Sequence, residues 1–132
     1  SIRDWGHAKD YVEMQWRMLQ QEKPEDYIIA TGIEASVRHF IELSAKELGW
    51  GGITWVGKGI EEVGKRKDNG NVVIRIDSKF FRPAEVDKLL GDPSKALEKL
   101  NWSPKSSLND LISEMIEYDK QRAKKEILLT KK

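Results

Sequence analysis

Tyr27-Ile28-Ile29-Ala30-Thr31-Gly32 is a short apolar run closed by a glycine, the form of a strand buried on both faces. Helical patterns flank it. From His7 onward, Ala8, Tyr11, Val12, Gln15 or Trp16, and Leu19 recur at helical spacing, and Pro24 is expected to stop that helix. Ile2 to Trp5 fits the end of a short strand ahead of it. Beyond Gly32, Ser36 is placed to cap a second helix with Val37, Phe40, Ile41, Ser44 and Leu48 on its apolar face. Gly49 is the expected stop of this second helix. Helix, strand, helix is the rhythm of an α/β sheet covered by helices, and a strand like 27–31 normally lies against parallel neighbours. Alone it would be an exposed apolar edge, so more polypeptide or an oligomer is expected beside it.

The middle of the chain changes character. Ile53-Thr54-Trp55-Val56 and Val72-Val73-Ile74-Arg75-Ile76 are strand-like. Between them stand Gly57, Gly59, Gly64 and the turn signal Asp68-Asn69-Gly70-Asn71, which predict an extended excursion, partly a hairpin, with mobile charged residues from Lys65 to Asp68. Further on, Asp92 caps a short helix with Pro93 inside it, and Ala96, Leu97 and Leu100 are expected to face inward. Trp102 and Pro104 close that segment. Ser107 and Asp110 have the spacing of a capping box, with Asp in place of the usual Glu or Gln. Leu108, Leu111, Ile112, Met115 and Ile116 follow as the apolar face of a terminal helix, whose tail from Lys124 to Lys132 is expected to fray.

Composition narrows the function classes. The 132 residues suit one ordinary domain. With 23 Lys+Arg against 22 Asp+Glu the net charge is +1, which supplies no basic field for general nucleic-acid binding. The absence of cysteine excludes disulfides and thiolate metal sites, and is compatible with a reducing cytoplasm. No apolar run approaches the roughly 18 residues of a membrane span. The start, Ser1-Ile2-Arg3-Asp4, has the form of neither a signal peptide nor a usual initiator, and reads as a chain entered partway.

Reactive groups are sparse. His7 and His39 stand far apart with no carboxylate pattern around them, so no metal site is expected. Gly57-Lys58-Gly59 begins like a dinucleotide-binding loop, but the third glycine is displaced to Gly64. Glu61 and Glu62 are adjacent, so in an extended segment they would face opposite ways. No serine sits in a nucleophile elbow.

What the chain does offer is a grip. In Phe80-Phe81-Arg82-Pro83-Ala84-Glu85-Val86, Pro83 suits the first turn of a helix, Arg82 is pushed toward an extended backbone, and Glu85 falls where a helix dipole favours a carboxylate. A guanidinium fork matches a phosphate, and a carboxylate can accept from two neighbouring hydroxyls. The plainer alternative is a surface ion pair worth at most about 1 kcal/mol. Arg3-Asp4-Trp5-Gly6-His7 is a second candidate, where a strand gives way to a helix. Arg3 could bring another positive charge to a diphosphate while Asp4 holds the turn through nearby N–H groups. Here the plainer alternative is that both residues pair with local backbone.

Arg3-Asp4-Trp5-Gly6-His7-Ala8-Lys9-Asp10-Tyr11-Val12 resembles the "RDWGHAKDYV" stretch of the GDP-mannose 4,6-dehydratases. Met18-Leu19-Gln20-Gln21, Ile29-Ala30-Thr31-Gly32, the Phe80–Val86 segment, Leu90-Gly91-Asp92-Pro93-Ser94-Lys95-Ala96, and Leu100 with Trp102 and Pro104 extend the resemblance over nearly the whole chain. It implies an extended short-chain dehydrogenase/reductase, in which an N-terminal Rossmann domain holds NADP and a smaller C-terminal part binds the sugar nucleotide. The implied reaction is a hydro-lyase one. GDP-mannose loses water to give GDP-4-keto-6-deoxymannose through internal hydride transfer, on the route to GDP-fucose and related sugars. Residue by residue, Arg3 and Arg82 resemble the family's diphosphate ligands, and Glu85 its ribose-binding acid. The resemblance also implies a homodimer or homotetramer; a cytoplasmic protein with no nucleic-acid or membrane partner is expected from the charge, the missing cysteines and the lack of an apolar span.

The family's glycine-rich cofactor loop and its Tyr-x-x-x-Lys pair have no counterpart in these residues. Tyr118 to Arg122 is the nearest imitation, with arginine in the last place. Residues 1–132 are therefore expected to be the C-terminal sugar-nucleotide-binding part, carrying the last pieces of the Rossmann fold. Cofactor-binding and catalytic residues, the family's Thr and Glu among them, are expected upstream of Ser1. Residues 50–75 match the family least. The alternatives are another nucleotide-sugar dehydratase or epimerase, or a non-catalytic sugar-nucleotide-binding module.

Overall fold

A computed structural model describes residues 1–84 and 87–130. The fold is mixed α/β, with helices and a few short strands. The chain divides into two compact units: Ser1–Val37 with Val86–Leu111, and Arg38–Glu85 with Ile112–Lys132.

The first unit is assembled around β1 (Ile2–Asp4). On one edge β1 pairs antiparallel with β2 (Glu34–Ser36), Arg3 opposite Ala35. On the other edge Ile2 bridges Lys88 in the parallel sense: Ile2 N–H donates to the Asp87 carbonyl at 2.7 Å, and Leu89 N–H donates to the Ile2 carbonyl at 2.9 Å. Helix α1 (Ala8–Leu19) follows, with the His7 imidazole Nδ1 accepting from Lys9 N–H at 3.0 Å as its cap. The helix ends five residues before Pro24. Residues 20–26 are all exposed and offer no apolar side chain to bury, so nothing rewards another turn. Arg17 in the last turn donates to the Leu100 and Asn101 carbonyls at 3.0 and 2.8 Å.

Residues 27–31 do not form the expected strand. Both edges of β1 are already taken, and the run instead ends on the Asp4 carboxylate. Nor is it buried on both faces: Ala30 is buried, whereas Ile28 is 57% exposed. The parallel sheet anticipated for this segment is therefore absent among the described residues.

The core of this unit is Met14, Ala96, Leu100 and Trp102, with Tyr11, Met18, Tyr27 and Ile29 packed against it. Helix α3 (Ser94–Leu100) supplies two of these, and the Asp92 carboxylate accepts from Ser94 N–H at 3.0 Å ahead of it. Ala96 and Leu100 stand four apart on the buried stripe. Leu97 is one position round the helix and is exposed, contrary to expectation. Asn101 closes α3 in the left-handed region (φ 52°), which lets Trp102 N–H reach back to the Ala96 carbonyl at 3.3 Å.

Helix α2 (Val37–Glu47) leads into the second unit. It ends as expected at Gly49 (φ +80°), where Trp50 N–H bonds Ala45 O and Gly49 N–H bonds Lys46 O, the paired contacts of a Schellman stop. Strands β3 (Ile53–Val56), β4 (Val63–Arg66) and β5 (Val72–Arg75) form an antiparallel sheet in chain order. The predicted hairpin joins β4 to β5. Lys65 and Arg66 belong to β4 and are not part of a mobile excursion. The Arg66 guanidinium lies 4.4 Å over the Trp50 ring and grips Asp68 with two hydrogen bonds, at 2.9 and 2.6 Å. Gly64 is buried because Trp55 and Ile74 close over it; a Cβ there would meet both at 3.0 Å.

No helix begins at Pro83. Pro83 and Ala84 bend, Asp87 bends, and Lys88 bridges β1. The main chain at 87–89 is committed to Ile2, so it cannot coil. Helix α4 (Leu108–Thr130) starts from a true capping box, with Ser107 N–H bonded to the Asp110 carboxylate at 2.9 Å and Asp110 N–H to the Ser107 hydroxyl at 3.1 Å. Ile112 is buried on it and Met115 is exposed. The tail expected to fray is helical through Thr130. Strong helix formers fill it, and Glu117–Gln121 and Arg122–Glu126 pair along its surface at 3.1 and 3.5 Å. Lys131 and Lys132, also assigned to that tail, lie outside the described residues.

Candidate functional site

β1 presents two adjacent side chains with different tasks. The Asp4 carboxylate collects donors from distant parts of the chain: Thr31 N–H at 2.8 Å, Thr31 hydroxyl at 2.7 Å, Gly32 N–H at 2.9 Å and Gly91 N–H at 3.4 Å. Its expected role is to hold its own turn through nearby N–H groups; the segments it holds instead lie 27 or more residues away in sequence. Arg3 donates from Nη1 to the Ile2 carbonyl at 2.9 Å and borders an open cleft of about 360 Å³.

Residues 28–30 and 89–91 line the cleft together with Arg3, Asp4 and Tyr11. The two segments touch at Gly91, where a Cβ would lie 2.3 Å from the Ala30 Cβ. Tyr11 comes from the first turns of α1. Its ring packs on the core while its hydroxyl rests against Gly6, where a Cβ would lie only 2.1 Å away. Burial, then the carboxylates of Asp4 and Asp10, push the Tyr11 phenol above its ordinary value, so it is a protonated donor at neutral pH.

Sequence reasoning missed Asp10. Its side chain is 2% exposed and accepts from Ser106 N–H at 3.0 Å, while its carbonyl accepts from the Trp102 indole at 3.0 Å. The available signal was its position four residues before Met14, on the buried stripe of α1. A second, largely apolar cavity of about 240 Å³ lies among Trp5, Thr31, Ile33, Ala35 and the 104–108 segment, with the Trp5 indole donating to the Ala35 carbonyl at 2.9 Å.

Of the three residues expected to bind substrate, Arg3 stands in the first unit at the cleft. Arg82 stands in the second unit, exposed, beside exposed Phe81 and Phe80. Glu85 lies outside the described residues. Gly57-Lys58-Gly59 joins β3 to a 3-10 turn (Gly59–Glu61) and opens no α-helix. A Cβ on Gly57 would meet the Glu61 carbonyl oxygen at 2.9 Å. This loop therefore does not have the form of a dinucleotide-binding turn. Among the described residues no three His, Cys, Asp or Glu side chains gather to hold a metal ion, and no helix is long and apolar enough to cross a membrane.

In class this is a mixed α/β chain of helices and small sheets, with an arginine bordering an open cleft. The family model described as GDP-mannose 4,6 dehydratase matches residues 1–115. The chain is 50% identical over 98% of its length to the GDP-mannose 4,6-dehydratase of Yersinia enterocolitica, 54% over 90% to that of Drosophila melanogaster, and 51% over 89% to that of Homo sapiens. It belongs to the GDP-mannose 4,6-dehydratase family. It spans 37%, 30% and 31% of the lengths of those three relatives.

Proposed function

We propose that residues 1–132 are the C-terminal, sugar-nucleotide-binding part of an enzyme that converts GDP-mannose to GDP-4-keto-6-deoxymannose with loss of water. Arg3 and Arg82 hold the diphosphate and Glu85 accepts from the ribose hydroxyls. A preceding Rossmann-type domain supplies NADP and the reacting groups, and the whole works in the cytoplasm as a homodimer or homotetramer. The observation that carries this reading is identity near one half over almost the entire chain to proteins named GDP-mannose 4,6-dehydratase. The setting of Arg3 at the mouth of an open cleft supports its role.

Magnitudes explain why the part needs the whole. Three hydrogen-bonded contacts to charged groups contribute about 1.5–3 kcal/mol each, before the cost of ordering ligand and side chains. A micromolar ligand needs about 8 kcal/mol. The isolated 132-residue chain is therefore expected to bind GDP-mannose weakly and turn none over. In the complete enzyme, Arg82→Ala is expected to raise the KM for GDP-mannose sharply while NADP affinity holds. Turnover by the isolated chain, or an unmoved KM in the variant, would contradict the reading.

A further inference from the structure

Tyr11 is placed as no purely structural tyrosine needs to be. Its ring packs against the Met14, Ala96, Leu100 and Trp102 core, a task phenylalanine would do equally well. The hydroxyl has been given room by the missing side chain of Gly6, and Tyr11 lines the cleft that Arg3 borders. Among the described residues it has no hydrogen-bond partner, yet it is not sealed off from solvent. Both oxygens of the neighbouring Asp4 are already engaged by Thr31, Gly32 and Gly91, so Asp4 does not need the phenol proton. A donor left over on a residue that lines the same cleft as Arg3, its ring packed on the core, suits an anionic oxygen arriving in the cleft.

We infer that the Tyr11 hydroxyl is a further substrate-binding group, donating its hydrogen bond to a phosphate oxygen of the nucleotide diphosphate that Arg3 holds. This rests on the reading of Arg3 given above. Tyr11 needs no ionisation for this role. It acts as a neutral donor, fixed in direction by its packing on the core and against Gly6, and adds specificity where Arg3 adds charge.

The test is Tyr11→Phe in the complete enzyme, set beside Arg3→Ala. Loss of one hydrogen bond to a charged group is expected to raise the KM for GDP-mannose and the Kd for GDP about tenfold to a hundredfold. The melting temperature, kcat and NADP affinity are expected to hold, because the ring and its packing are kept. If Tyr11→Phe leaves KM and Kd unchanged while Arg3→Ala raises them, the inference about Tyr11 fails and the reading of the cleft stands. If neither variant moves them, both fail. A Tyr11→Phe variant that melts lower at unchanged KM also overturns the inference, since the hydroxyl would then serve the fold.

Discussion

The Trp102 indole donates to the Asp10 main-chain carbonyl at 3.0 Å, and both residues are almost wholly buried. That contact, 92 residues apart in sequence, ties the segment after α3 to the first turn of α1. The Asp10 carboxylate reinforces it by accepting from Ser106. Trp102→Phe keeps much of the packing but removes the donor, and is expected to cost about 1–3 kcal/mol. Trp102→Ala adds a cavity and is expected to cost about 3–5 kcal/mol. Urea midpoints of the complete protein, at unchanged denaturant slope, would measure both. Similar midpoints for the two variants would mean that the indole packs more loosely than its burial implies.

Asp4 binds two separated pieces of backbone, at 31–32 and at 91, through one carboxylate. Asparagine keeps the shape but turns an NH₂ group toward N–H donors, leaving at least one of them without an acceptor. Asp4→Asn is expected to destabilise by about 2–4 kcal/mol. Thr31→Val should cost less on the Asp4→Asn background than alone, the remainder being the Ile33 N–H that loses the Thr31 hydroxyl as acceptor on either background. Strict additivity in that double-mutant cycle would show that Asp4 and Thr31 act independently.

These contacts mark what the sequence can and cannot reveal. The stops at Gly49 and Asn101 and the box at Ser107 and Asp110 are local hydrogen-bond devices. Gly49 and the box are legible from residue type and spacing alone. The run at 27–31 misleads twice: Ile28 is exposed despite the apolar pattern, and the pattern is silent about which backbone groups are paired. Strand β4 is hidden for the opposite reason. Gly64 and Arg66 look like loop residues until Trp55 and Trp50 are seen covering them. Pro83 carries a helix-start signal that the 87–89 bridge to Ile2 overrides. At the site, Arg3 and Asp4 are legible as chemistry. Tyr11 reads only as one of the apolar positions of α1, because its hydroxyl matters only once Gly6 lies beneath it.

Two exposed caps set an acid sensitivity. Hydrogen bonds from Ser107, backbone first and then side chain, hold the Asp110 carboxyl below the ordinary value of 3.8. The Ser94 side chain and then its N–H do the same for Asp92. A carboxylate lowered on folding contributes stability above its unfolded pKa, and that contribution disappears as pH falls through the folded value. Stability is therefore expected to decline between about pH 5 and about pH 2, and Asp110→Asn should flatten part of that decline. Urea midpoints across this range would decide it; parallel acid limbs for wild type and variant would exclude Asp110 as a contributor.

Two glycines separate steric from conformational strain. At Gly49 an added Cβ would have nothing within 4 Å, but φ is +80°, so Gly49→Ala is expected to cost about 1 kcal/mol through backbone strain alone. At Gly91 an added Cβ would sit 2.3 Å from the Ala30 Cβ, with Ile28 at 3.3 Å. Ala30 is buried and has no rotamer with which to give way, so Gly91→Ala must push the 28–30 and 89–91 walls of the cleft apart, at about 1–3 kcal/mol. Ala30→Gly removes the colliding methyl. It should therefore restore much of the loss at Gly91→Ala while adding only its own cost to Gly49→Ala. Melting temperatures of the two double mutants against their singles would test this. Equal additivity in both pairs would mean that the cleft walls do not meet at Gly91.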